Sequence, residues 1–124
     1  MKPESAAAAY KQAAFESAPP LKIVHMMYEG ALRFLEQAQG MDPQSEAKAF
    51  DERLRRADAV ISELRISLNH ELAPELCRDL TALYFFAEDR IHQALTKRDA
   101  DAVGPARDVL ESLLGGWKAV EVEE

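Results

Sequence analysis

The chain has 124 residues with a formal net charge of −7, 48% hydrophobic and 30% charged residues, which fits one folded domain with its own core. An acidic surface repels phosphate backbones and anionic lipid, so nucleic acid is not expected as a partner. The single cysteine, Cys77, excludes an internal disulfide, and no apolar run has the length needed for membrane insertion.

The N-terminal segment, residues 1–18, is rich in alanine and carries Tyr10 and Phe15 as its large apolar residues. These are too few to anchor an independent helix, so a turn or two of helix is predicted. No signal-peptide pattern follows Met1, and a cytoplasmic location is therefore expected.

The first long helix is predicted to begin near Pro20, since proline is tolerated at the first helical position. Gly40 and Pro43 are expected to end it. Its apolar stripe has helical spacing and comprises Ile23, Val24, Met27, Ala31, Phe34, Leu35 and Ala38.

The second long helix is predicted over 45–69, where apolar residues recur at alternating steps of three and four. The seam consists of Ala47, Phe50, Leu54, Ala57, Ile61, Leu64 and Leu68. The third is predicted over 73–97, with Pro74 in its first turn. Its stripe consists of Leu76, Leu80, Leu83, Tyr84, Ala87, Ile91 and Ala94.

The fourth long helix is predicted over 101–120, with Asp101 as its N-cap and Pro105 in its first turn. Its stripe consists of Ala102, Val103, Ala106, Val109, Leu110, Leu113, Leu114, Trp117 and Val120. Gly115 and Gly116 are expected to weaken the last turns, and the acidic end, 121–124, is expected to fray.

Four helices of similar length with short joints predict an all-α fold, an antiparallel up-down-up-down four-helix bundle with a short N-terminal segment. The bundle is assigned to residues 19–120, between the N-terminal segment 1–18 and the acidic end.

No pattern of catalytic or cofactor-binding residues is found. A di-metal bundle needs two Glu-x-x-His pairs, whereas here Glu88 and Asp89 precede His92 by four and three residues and no second pair exists. Surface charge explains these residues. Cys77 is predicted to be a buried apolar residue. We therefore expect no enzyme activity, no cofactor and no metal.

Several apolar residues fall outside the four stripes, on flanks or outer faces of the predicted helices. These candidate partner-binding residues are Tyr28, Leu32, Val60, Ile66, Phe85 and Phe86. Tyr28 and Leu32 are four residues apart and are predicted to be surface neighbours. Together the six suggest apolar grooves that take an amphipathic helix of a partner, although flank positions also complete bundle cores.

Short motifs along the chain resemble the flagellar chaperone family FliS. They are Ala-Tyr-Lys-Gln at 9–12, Ser-Ala-Pro-Pro at 17–20, Ile-Val-His-Met-Met-Tyr-Glu-Gly-Ala at 23–31, Leu-Thr-Ala-Leu-Tyr at 80–84, and Trp117. The resemblance runs from Tyr10 to Trp117 and rests on the order and spacing of these motifs.

The resemblance implies a cytosolic chaperone that binds the disordered C-terminal segment of flagellin, prevents early polymerisation and helps to deliver flagellin to the type III export apparatus. It also implies that the segment carrying Tyr10 and Phe15 acts as a displaceable cap. The export gate and flagellar regulators stay open as further partners. Two alternatives also remain: a paralogous bundle that holds another export substrate or a regulator, and a metal or redox enzyme.

Overall fold

The computed structural model describes residues 3–13, 21–71 and 73–122, and these residues form helices without a strand. There are five α-helices: α1 Pro3–Ala13, α2 Leu21–Gln39, α3 Ala47–Ile66, α4 Pro74–Lys97 and α5 Val103–Val122. A 3₁₀ turn, Ala100–Ala102, precedes α5. None of the described helices is long and apolar enough to cross a membrane.

The four long helices, α2 to α5, form the predicted antiparallel bundle. Both α2 and α4 pack against α3 and α5, so each helix has two neighbours in a closed ring. The short connections between successive helices make those neighbours antiparallel. The predicted fold class is confirmed.

The seams predicted for the second and third long helices are largely the observed ones. The buried residues of α3 are Phe50, Leu54, Ala57, Ile61 and Leu64. Those of α4 are Cys77, Leu80, Tyr84, Ala87, Glu88, Ile91 and Ala94, which confirms the burial of Cys77 and adds a carboxylate that the apolar pattern could not include. In α5 the buried set is Val103, Ala106, Leu110, Leu113, Leu114, Gly116 and Trp117.

The predicted stripe of α2 is rotated from the observed one. Ile23 is half exposed, whereas Tyr28 and Leu32 are buried. The buried residues of this helix are Val24, Tyr28, Ala31, Leu32, Leu35 and Ala38. Because apolar residues occur on more than half of the circumference of α2, spacing alone does not select the buried side.

Four predicted helix ends, both ends of α3 and both ends of α5, are wrong by two or three residues. The cap before the last helix is Asp99, whose carboxylate accepts a 2.9 Å hydrogen bond from the Asp101 amide and begins the 3₁₀ turn. Pro105 is then the third residue of α5. At its C-terminal end, α3 stops at Ile66, and the hydroxyl of Ser67 donates a hydrogen bond to the Leu64 carbonyl.

The N-terminal helix α1 is longer than the turn or two that was predicted, with 11 residues. It packs against α5 and α4, on the outside of the bundle. Ala6 and Ala7 are buried in that contact. A Cβ atom on Gly116 would lie 2.7 Å from the Cα and the carbonyl carbon of Glu4, so only glycine lets the two helices approach this closely.

Candidate partner-binding surface

Tyr28 lies in the centre of the bundle, where it joins three helices. Its hydroxyl is hydrogen-bonded to the hydroxyl of Tyr84 and accepts a 3.1 Å hydrogen bond from Nε1 of Trp117. The ring centroids of Tyr84 and Trp117 each lie 6.5 Å from the ring centroid of Tyr28. Burial raises the pKa of Tyr28 to about 12, although both hydrogen bonds act in the opposite direction. The prediction that Tyr28 is a surface residue is wrong, because its polar atom is satisfied inside the core.

Leu32 and Val60 also belong to the packed interior to different degrees. Leu32 is buried, which contradicts its prediction as a surface neighbour of Tyr28. Val60 is half-buried and packs against the core from α3. Neither residue offers a large open apolar surface.

Ile66, Phe85 and Phe86 are exposed, in agreement with their positions outside the predicted seams. The exposed fractions are 73%, 52% and 39% in that order. Arg65, the neighbour of Ile66 in α3, places its guanidinium 4.4 Å from the ring centroid of Phe85. Phe85 therefore packs against Arg65 of α3, and Ile66 is exposed as the last residue of that helix.

Phe86 points to a different side of α4. Its ring lies 5.1 Å from the guanidinium of Arg90, one turn further along the same helix. Consecutive residues of an α-helix are about 100° apart, so Phe85 and Phe86 cannot line one narrow groove. The six predicted residues are therefore not one site.

The α3–α4 groove is a pocket of about 470 Å³ on the side of the bundle where Phe85 lies. It is lined by Asp58, Ser62, Arg65, Phe85, Glu88, Asp89 and His92. Buried Glu88 accepts hydrogen bonds from the Ser62 hydroxyl and from Nε and Nη2 of Arg65, the latter two at 3.0 and 3.3 Å. His92 pairs with Asp58 through a 3.2 Å contact from Nε2 to Oδ2.

The role of Glu88 was missed, although the sequence contains a signal for it. Glu88 follows buried Tyr84 by four residues and precedes buried Ile91 by three, which is a core position in the helical repeat. Its interpretation as surface charge rested on neighbours within α4. The residues that neutralise and bind it, Arg65 and Ser62, come from α3.

The contact of α1 with the bundle covers the α5 side. A shallow pocket of about 480 Å³ remains along this contact, lined by Glu4, Ser5, Ala8, Ser112, Gly115 and Gly116. Tyr10 lies in α1, but its side chain is outside the part of the chain that the structure describes. The second predicted cap residue, Phe15, also lies outside the described residues.

The described residues contain no group of three or more His, Cys, Asp or Glu side chains placed to hold a metal ion. The thiol of Cys77 is buried and donates a 3.3 Å hydrogen bond to the carbonyl of Asn69. Burial raises the pKa of this thiol, which disfavours the reactive thiolate. Cys77 has the surroundings of a structural residue.

Comparisons with known proteins agree on one family. The family model described as flagellar protein FliS matches residues 3–124. The flagellar secretion chaperone FliS of Vibrio cholerae is 29% identical over 119 residues, which cover 93% of this chain and 88% of that protein. The FliS of Bacillus subtilis is 27% identical over 110 residues, covering 89% and 81%.

A solved structure shares the architecture. It is described as the crystal structure of a flagellar chaperone from bacteria, and it matches with a TM-score of 0.77 over 94% of each chain. The sequence identity is 21%, so this likeness shows the fold.

Proposed function

The chain belongs to the FliS family of flagellar secretion chaperones, and we propose that it binds the disordered C-terminal segment of flagellin in the cytoplasm. In this proposal it prevents premature polymerisation and aids delivery of flagellin to the flagellar type III export apparatus. The family is one of chaperones and not of enzymes. Its members match this chain over most of their length, including 88% of the Vibrio cholerae protein.

The observation that carries the proposal is the exposure of Ile66 and Phe85 on a bundle whose core is otherwise filled. Large apolar side chains that stay exposed on a folded bundle favour binding of a partner's apolar residues. A disordered segment loses conformational entropy when it folds, and burial of apolar surface must offset that loss. A bundle that is already ordered adds little further entropy loss of its own.

The N-terminal segment, residues 1–18, is proposed to act as a cap that the client displaces from part of its binding surface. In support, α1 lies outside the bundle and contacts α5 through Ala6, Ala7 and Gly116. Such small side chains bury little apolar area each, so Ala6 and Ala7 contribute only modestly to the free energy that holds α1. A client segment with larger side chains would gain more from the same surface.

Calorimetric titration with a flagellin C-terminal peptide tests the proposal. A peptide of about 40 residues from the same genome is expected to bind with a negative heat-capacity change and to gain helix by circular dichroism. No binding by a folded protein would contradict flagellin as the client and would favour another export substrate.

The variant Ile66→Asp is expected to weaken peptide binding by about tenfold, because a charge replaces an apolar side chain at the contact. Its helical circular dichroism should stay unchanged, since Ile66 lies outside the core. Met26→Asp is the matched control, because Met26 is 63% exposed but lies on α2. Equal affinities of the two variants would show that Ile66 does not contact the peptide.

A further inference from the structure

The α3–α4 groove is built before any partner arrives. Arg65 is bound by two hydrogen bonds to Glu88, which is buried and also bound by Ser62. The guanidinium of Arg65 in turn lies 4.4 Å from the ring centroid of Phe85. This contact occupies one face of the ring, yet half of Phe85 stays exposed. The Phe85 side chain is thus already ordered in the groove before it contacts a partner.

The charges that line the groove are not balanced. Glu88 is paired with Arg65, whereas Asp58 and Asp89 have no Arg or Lys partner within the described part of the chain. Among the described residues Asp58 pairs with His92 alone, and its Oδ1 atom is buried there without a hydrogen-bond donor. Asp89 accepts a hydrogen bond from the neutral side chain of Gln93. An added cation is therefore favoured on this side of the groove.

The apolar and acidic parts of the groove are spaced by one helical turn. Phe85 and Asp89 are four residues apart on α4, which corresponds to a rise of about 6 Å. Two side chains that are three or four residues apart on a partner helix have the same separation along the helix axis. One partner helix can therefore contact Phe85 and Asp89 together.

From this arrangement we propose that the α3–α4 groove binds an amphipathic helix carrying an apolar residue and, one turn away, a lysine or arginine. The apolar side chain packs on Phe85, and the cation pairs with Asp89 and Asp58. The inference deepens the proposed function, on which it rests in taking the partner to be a client segment that folds on binding. It adds a charge requirement that the apolar surface alone does not impose.

Two synthetic helical peptides test the charge requirement. They have the same length and the same leucines, and differ only in carrying lysine or glutamate one turn from the central leucine. The lysine peptide is expected to bind about tenfold more tightly, and raising the salt from about 0.05 to about 0.5 M should reduce that preference. Equal affinity of the two peptides would overturn the inference.

The double variant Asp58→Asn, Asp89→Asn removes the two carboxylates with little change of shape and is expected to abolish the preference for lysine. The matched control, Glu29→Gln with Asp108→Asn, removes the same charge from exposed positions on α2 and α5. It should keep the preference. If both double variants behave alike, the attraction comes from the net charge of −7 and the inference is wrong.

The flagellin peptide separates this inference from the proposed function. If it binds and its affinity is unaffected by Asp58→Asn with Asp89→Asn, the inference fails and the proposed function stands. If flagellin does not bind but the lysine peptide does so through these aspartates, the inference stands with another client. Self-association that is lost in this double variant, measured by sedimentation, would identify a second copy of the chain as the occupant and overturn the proposal.

Discussion

The contact between α1 and α5 and the contact between α3 and α4 are built in opposite ways. The first closes through small residues: Ala6 and Ala7 are buried, and Gly116 lets the backbone of Glu4 lie close to the backbone of α5. The second contains a charged pair, buried Glu88 with partly buried Arg65, and leaves Phe85 half exposed beside a groove. Both lie at the edge of the same core.

The two contacts differ in how easily their helices can separate. Small residues allow close approach, and each buries little apolar area, so Ala6 and Ala7 hold α1 less strongly than larger side chains would. A buried charged pair holds its two helices at a set separation, because separating the partners would leave a charge without compensation. We infer that the α1 contact is suited to release and that the α3–α4 contact is suited to hold a groove open.

The largest expected effect comes from Arg65→Met, which leaves Glu88 buried without its cation. The free energy of unfolding should fall by about 2–3 kcal/mol, measured by urea denaturation. Arg55→Met makes the same change at an exposed position of α3 and should stay within about 0.5 kcal/mol of the parent protein. Equal stability of the two variants would mean that the charged pair does not hold α3 and α4 together.

The variant Tyr28→Phe tests the hydrogen bonds by which Tyr28 of α2 joins α4 and α5 in the core. It removes the hydroxyl that binds the Trp117 N–H and the Tyr84 hydroxyl. The expected loss of stability is about 1–2 kcal/mol at neutral pH. The pKa of Tyr28 is about 12 in the folded protein against 10.0 as its ordinary value. The unfolded chain therefore loses this proton first as the pH rises, which favours unfolding.

The stability contributed by Tyr28 is consequently present below pH 10 and decreases as the pH rises from about 10 to about 12. Because two pKa units correspond to about 2–3 kcal/mol, the stability advantage of the parent protein over Tyr28→Phe should fall to zero or reverse over this window. Urea denaturation at a series of alkaline pH values measures it. A difference that stays constant would show that Tyr28 ionises equally in the folded and unfolded chain.

The smallest effects are expected at the two adjacent glycines of α5. A Cβ at position 116 overlaps the backbone of Glu4, whereas one at position 115 meets nothing within 4 Å. Gly115→Ala should raise the free energy of unfolding by about 0.5–1 kcal/mol through helix propensity. Gly116→Ala should not gain that stability, because α1 is forced away.

Hydrogen exchange of residues 3–13 distinguishes the two variants. Gly116→Ala should speed exchange in α1 and leave α3 and α4 protected, whereas Gly115→Ala should change neither. If α1 also covers part of the client surface, Gly116→Ala should bind the flagellin peptide more tightly. Unchanged exchange in α1 would contradict the close contact at Gly116.

The bundle could be predicted from the sequence because α3 and α4 carry single, well-spaced apolar stripes. Their buried residues follow the predicted seams closely. The phase of α2 could not be predicted, since Ile23 and Leu32 are equally apolar and only the packing of three helices decides which is buried. The packing of α1 could not be predicted either, because the contact joins the backbones of Glu4 and Gly116, which are more than a hundred residues apart in sequence. Helix propensity describes only local sequence and contains no information on such a contact.

Of the candidate surface, the sequence could predict some of the exposed apolar side chains, but not how residues of different helices pair. Ile66 and Phe85 lie outside their seams, and both are exposed. Tyr28 was misplaced because its hydroxyl finds partners on α4 and α5, and the sequence of α2 contains no sign of them. The groove itself depends on pairing between Glu88 and residues of α3, so a pattern within one helix cannot indicate it.

Trp117 is an intrinsic fluorescence probe. It is the only tryptophan among 124 residues, it is buried, and it follows the glycine on which α1 lies. Tyr28, 6.5 Å away between ring centroids, is close enough to pass excitation energy to it. Emission from one residue can therefore follow the unfolding of the core in unlabelled protein.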